Sequence, residues 1–148
     1  MIINMTPEQK AQEFDRIVDF VTNRCLFDTR LFFINNNVIP YVFVNDKDDN
    51  VRLILAKKGI GLETLVNDKN KNVRIAVADH YFGLDQLMRD PDPDVRKAVA
   101  VKGHGLEILK KDPDPNVRQA ALTILRQKRD EAQAEAALAK PKKSSMYF

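Results

Sequence analysis

The sequence predicts an all-α fold, an α-solenoid built from 22-residue helical units with a capping helix before them and a long helix after. Three observations carry this. The pair Val-Arg recurs at Val51-Arg52, Val73-Arg74, Val95-Arg96 and Val117-Arg118, always 22 residues apart. Further columns keep the same step: Asp46, Asp68, Asp90 and Asp112; Asp48, Asn70, Asp92 and Asp114; Ala56, Ala78 and Ala100; Gly61-Leu62, Gly83-Leu84 and Gly105-Leu106; Leu65, Leu87 and Leu109. The units near 46–67, 68–89 and 90–111 also each have a helix start, an apolar stripe at 3.6-residue spacing and a glycine stop. Self-similarity at a fixed period is the signature of repeat architectures.

In chain order, Thr6-Pro7-Glu8-Gln9 reads as a capping box with proline at the first helical position. It opens a helix whose Phe14, Ile17, Val18 and Val21 share one face. This helix, within residues 1–27, is expected to cover the open end of the stack. Residues 28–45 read as a diverged first repeat, since Thr29-Arg30 and Phe43 keep the register while Ile39-Pro40 replaces Gly-Leu. Terminal repeats are where such divergence collects.

Regular units follow near 46–67, 68–89, 90–111 and 112–126. Asp92 supplies an N-cap oxygen, Pro93 fits the first helical position and Asp94 suits the positive end of the helix dipole. Asp114-Pro115 repeats the device, and Asp48 and Asn70 cap without proline. Val95, Ala98 and Val99 form the buried stripe, Gly103 and Gly105 permit positive φ, and Leu106 and Leu109 turn inward on a short helix. No unit covers its own apolar face, so stacking has to bury the Val, Ala and Leu columns. The helix from Pro115 has no Gly-Leu turn after it and runs on through Leu125 toward Leu138. Residues 127–148 are this extension followed by a basic tail expected to be disordered over Lys140–Ser145, ending in the apolar Met146-Tyr147-Phe148.

Composition narrows the function classes. The 148 residues are 44% hydrophobic and 30% charged, which suits one folded domain. There is no apolar run of bilayer length, and Met1–Met5 lacks the basic and apolar regions of a secretory signal. One cysteine, Cys25, excludes an internal disulfide and a cysteine-only metal cage, and a reducing cytoplasmic setting fits. The net charge of +3 resides entirely in the tail: residues 1–125 hold 18 basic and 18 acidic side chains, and residues from Arg126 onward hold six and three. A body that tracks phosphates would carry a basic stripe.

The pattern Asp-x-Asp/Asn-x-x-Val-Arg-x-x-x-Ala, then Gly-Leu-x-x-Leu-x-x-Asp, resembles HEAT-like repeats and is particularly similar to the variant leucine-rich repeat proteins of bacteria. The resemblance covers residues 28–126. It implies a right-handed superhelix of alternating longer and shorter helices. Some variant-repeat members carry an iron–sulfur cluster on an N-terminal cysteine-rich segment, which a chain with only Cys25 cannot supply.

Arg30, Arg52, Arg74, Arg96 and Arg118 form a ladder. As a row of anion binders it would be functional. As partners of Asp46, Asp68, Asp90 and Asp112 it is structural, and the matched stoichiometry and the HEAT-like resemblance favour the structural role. Asp90-Pro91-Asp92-Pro93-Asp94 lacks the glycine and glutamate of a calcium loop, and helix capping accounts for it. His80 and His104 occupy different columns with no third ligand. Cys25, beside Leu26 and Phe27, reads as a small hydrophobe. There is no Gly-rich phosphate loop and no nucleophile elbow, so no cofactor, metal or catalytic role is expected.

Specificity in repeat proteins resides in columns that vary within a constant frame. Here these are Lys58, His80 and Lys102; Ile60, Phe82 and His104, with Tyr81 beside Phe82; and Leu53, Ile75, Lys97 and Gln119. Tyr81 and Phe82 are aromatics of the kind that anchor interfaces, or that fill a local packing gap. The expected function is therefore a non-enzymatic protein-binding module acting as scaffold, adaptor or inhibitor, monomeric or weakly homo-oligomeric. Nucleic-acid binding through Lys57, Lys58, Lys102, Lys110, Lys111 and the basic tail ranks second.

Overall fold

A computed structural model describes residues 6–38 and 40–139. The expectations for Met1–Met5, Ile39 and the tail from Lys140 lie outside the described residues. All regular structure among them is helical, with no strand. The helices are α1 (Pro7–Asp19), α2 (Phe27–Asn35), α3 (Asp49–Lys57), α4 (Leu62–Leu65), α5 (Lys71–Asp79), α6 (Leu84–Leu87), α7 (Pro93–Val101), α8 (Leu106–Leu109) and α9 (Pro115–Ala139). A π-turn, Phe20–Arg24, continues α1, and a 3-10 turn spans Pro40–Phe43. The chain divides into two compact units between Gly83 and Leu84.

In the first unit, Thr6 caps α1: its hydroxyl accepts from the Gln9 amide at 3.2 Å while the Gln9 side chain accepts from the Thr6 amide at 2.9 Å. The helix nevertheless buries none of its residues. Phe14 and Ile17 stay 53% and 43% exposed, and Val21, on the π-turn, is the buried member of the apolar face. That turn is tied down through its carbonyls, Thr22 O accepting from Arg30 at 3.1 Å and Asn23 O from Lys47 at 3.5 Å. Helices α3 and α5 pack on each other. Val51, Ala56, Val73 and Ala78 are all fully buried there, and the small alanines let the two backbones approach. Phe43 is buried in the column that Leu65 also occupies, so the 3-10 turn delivers the side chain that α4 delivers one step later.

In the second unit α7 packs on α9, and α8 packs on both. Val95, Val99, Ala100, Leu109, Val117 and Ala121 form the core. Beyond Leu125 the described side chains of α9 are all exposed, Leu138 at 88%.

The helix starts repeat one local device. Asp48, Asn70, Asp92 and Asp114 each accept the amide two residues on, at 2.8 to 2.9 Å. One step earlier, Asp46, Asp68, Asp90 and Asp112 accept the amides of those capping residues at the same distances. Two consecutive Asx turns thus lead into every long helix from α3 onward.

Candidate functional site

The arginine column is held by protein groups to differing extents. Arg52, Arg74, Arg96 and Arg118 each donate from Nη1 to the carbonyl six residues back, at 2.5, 2.7, 2.8 and 2.7 Å. In the first unit, Arg52 also grips Asp68 with Nε at 2.6 Å and Nη2 at 3.1 Å, and its Nη2 meets Asp49 at 2.5 Å. In the second, Arg96 grips Asp112 the same way, at 2.8 and 2.9 Å. These are side-on, two-point pairs of the strong kind. The Asp112 carboxyl is held below its ordinary range chiefly by the Arg96 bond, and Arg52 and Arg96 are raised chiefly by Asp68 and Asp112. Asp49 is lowered as well, first by the Asn70 amide and then by Arg52.

Arg30 departs from the pattern. Its Nη1 serves Thr22 O, so the guanidinium meets Asp46 end-on at 3.4 Å and Asp48 at 3.7 Å. Arg30 Nε and Asp46 Oδ2 are left buried without a hydrogen bond. Arg52 and Arg96 thus clamp successive turns with both sides of the fork occupied, while Arg118 bonds the backbone through Nη1 alone among the described residues.

The variable columns lie on the surface. Lys58, His80, Tyr81 and Phe82 are exposed in the first unit, and Ile60 is half-buried. Tyr81 has φ 58, in the left-handed region, and is 67% exposed; Phe82 is 39% exposed. The other residues in the column of Tyr81 have the same backbone: Asn37 at φ 56, Gly59 at φ 75 and Gly103 at φ 76. Asn37 and Tyr81 are the non-glycine residues with positive φ among those described, and asparagine tolerates that region where tyrosine does not. A tyrosine held there costs about 1 to 2 kcal/mol that a glycine would avoid.

His80 explains how the turn is held. Its ring covers Gly59, where an added Cβ would lie 3.2 Å from the imidazole, and its Nε2 sits 3.1 Å from Lys57 O. The C-terminal turn of α3 is therefore braced by the residue that precedes Tyr81. That role for His80 was not visible in the sequence, because it depends on a contact 23 residues away.

In the second unit, Lys102 and His104 are half-buried, and His104 Nε2 lies 2.8 Å from Asp85 Oδ1. Lys128 reaches Gly103 O at 3.3 Å, bracing that turn from α9. Among the described residues no three His, Cys, Asp or Glu side chains converge on a metal position, and no helix is long and apolar enough to cross a membrane. Cys25 is free and half-buried just after the π-turn. An outward stripe runs along α1 and the π-turn, where Ile17 and Phe20 lie between Glu13 and Arg24. Its signal is the spacing i, i+4, i+7, i+11. Against known proteins, the chain matches no family model, no curated protein and no solved structure.

Proposed function

We propose that this protein is a non-enzymatic protein-binding module whose units stack as a right-handed, HEAT-like α-solenoid. On this reading it works in the cytoplasm as a scaffold, adaptor or inhibitor that occupies a partner's surface. The single observation behind the reading is Tyr81. An exposed aromatic is kept, against a conformational cost, at a turn where the same register otherwise uses glycine or asparagine, the residues that tolerate that backbone. Strained exposed residues cluster at binding sites, and tyrosine supplies large contact area at low side-chain entropy cost. Phe82 adjoins it, and the His80 brace gives the turn a fixed backbone before any partner arrives. Lys58 and Ile60 occupy the columns of His80 and Phe82 one step earlier in the first unit, and Lys102 and His104 occupy them in the second.

A second reading, nucleic-acid binding, draws on the basic excess from Arg126 onward and on Lys57, Lys58, Lys102, Lys110 and Lys111. The forks of Arg52 and Arg96, closed on Asp68 and Asp112, support it poorly. The test is affinity capture from source-cell extract with the wild type and a Tyr81→Ala/Phe82→Ala variant, each at low and high salt. One protein retained at high salt by the wild type and lost from the variant supports the module. Nucleic acid recovered at low salt only, equally by both baits, overturns it, because phosphate binding falls steeply with salt.

A further inference from the structure

The helix that opens the chain has an unpartnered side, and its charges say what fits there. Pro7–Arg24 is one continuous helical rod through the π-turn, ~27 Å long at 1.5 Å per residue. One edge, Val21, is buried against the first unit. On another edge, Glu13, Arg16, Ile17 and Phe20 line one shallow groove, and Asp15, Arg16, Asp19, Phe20 and Arg24 line the next. The wider π-turn, closed by the Cys25 amide on Phe20 O at 3.2 Å, keeps Arg24 beneath Phe20. The result is a straight stripe of acid, aliphatic, aromatic, base. Ile17 and Phe20 are 43% and 56% exposed. Glu13 has a surface contact with Arg16 at 3.6 Å, while Arg24 has no ion pair among the described residues.

We infer that this stripe is a homodimer interface, closed by the same helix of a second copy running antiparallel. In that arrangement Ile17 faces Phe20 of the second copy and Phe20 faces its Ile17. The same register sets Glu13 against Arg24 of the second copy, and Arg24 against its Glu13. The 4-3-4 spacing is that of a coiled-coil seam, and a two-fold axis makes one patch complementary to itself. Charge favours the antiparallel pair over a parallel one, which would set Glu13 against Glu13 and Arg24 against Arg24. Two rods of this length cover on the order of 1,000 Å² between them, at the lower end of specific interfaces. The inference stands independently of the Tyr81–Phe82 surface.

The test is sedimentation equilibrium of the full chain over a concentration series, with circular dichroism and urea midpoints confirming that each variant folds. The wild type is expected to pass from monomer to dimer. Glu13→Arg alone, Arg24→Glu alone and Phe20→Asp are each expected to weaken dimerisation at least tenfold. Combining Glu13→Arg with Arg24→Glu exchanges the two charges and is expected to restore it. A wild type that stays monomeric throughout overturns the inference. So does a dimer indifferent to the single substitutions, and so does a combined variant as weak as its parents, since that removes the antiparallel register.

Discussion

Replacing Tyr81 by glycine and by alanine is the sharpest probe of the turn. Both substitutions delete the ring, so whatever contacts it makes are lost equally, and the difference between the two variants isolates the backbone. At φ 58 alanine keeps the left-handed penalty of about 1 to 2 kcal/mol that glycine escapes. Glycine in turn loses about 0.5 to 1 kcal/mol more entropy on folding. Tyr81→Gly is therefore expected to be more stable than Tyr81→Ala by about 0.5 to 1 kcal/mol. At an ordinary helical site the order reverses: Lys97, exposed within α7, is expected to favour alanine over glycine by about 1 kcal/mol. Urea denaturation of the four variants gives the comparison from midpoints at a common slope. If Tyr81→Ala is the more stable of its pair, residue 81 is not held in the left-handed region, and the argument that its ring is retained at a cost falls. Under the proposed function both variants also lose the partner to the same extent.

Other outcomes follow from the same geometry. Arg52→Met leaves Asp68 buried without its partner, and is expected to cost about 3 kcal/mol in urea unfolding. Adding Asp68→Leu recovers part of that loss, a coupling that a double-mutant cycle reads. Asp112 has its folded-state value depressed by Arg96, so its contribution is fully present above the ordinary carboxylate range near ~4 and is lost as pH falls through the lower folded value. An acid-unfolding series is thus expected to show a shallower pH dependence for Asp112→Asn than for the wild type. A methyl group at Gly61 collides with the Val44 side chain and sits at φ 68, whereas at Gly103 it meets the flexible end of Lys128 at 3.0 Å. Gly61→Ala is expected to cost at least 2 kcal/mol, Gly103→Ala about 1 kcal/mol, both measured by thermal melts. Asp92→Ala removes the N-cap of α7 and is expected to cost about 1 kcal/mol.

The features that the sequence determined by itself are those whose causes lie within one turn of chain. The Thr6–Gln9 box, the caps at Asp48, Asn70, Asp92 and Asp114, and the uninterrupted run of α9 all rest on contacts two to four residues apart. The all-helical character and the buried Val and Ala columns follow from the same short-range periodicity. Tertiary structure decided what depends on groups brought from elsewhere. Arg52 and Arg96 find their carboxylates 16 residues on, in the next turn, while Arg30 is drawn to Thr22 O and misses that geometry. His80 is spent on Lys57 O, and Tyr81 inherits a glycine's backbone because the turn around it is already set. The amphipathic pattern of α1 likewise specified an apolar face without saying how much of it the first unit would cover. A periodic sequence says which side of a helix is apolar, but burial requires a neighbouring surface, and here that surface reaches Val21 and leaves Ile17 and Phe20 exposed.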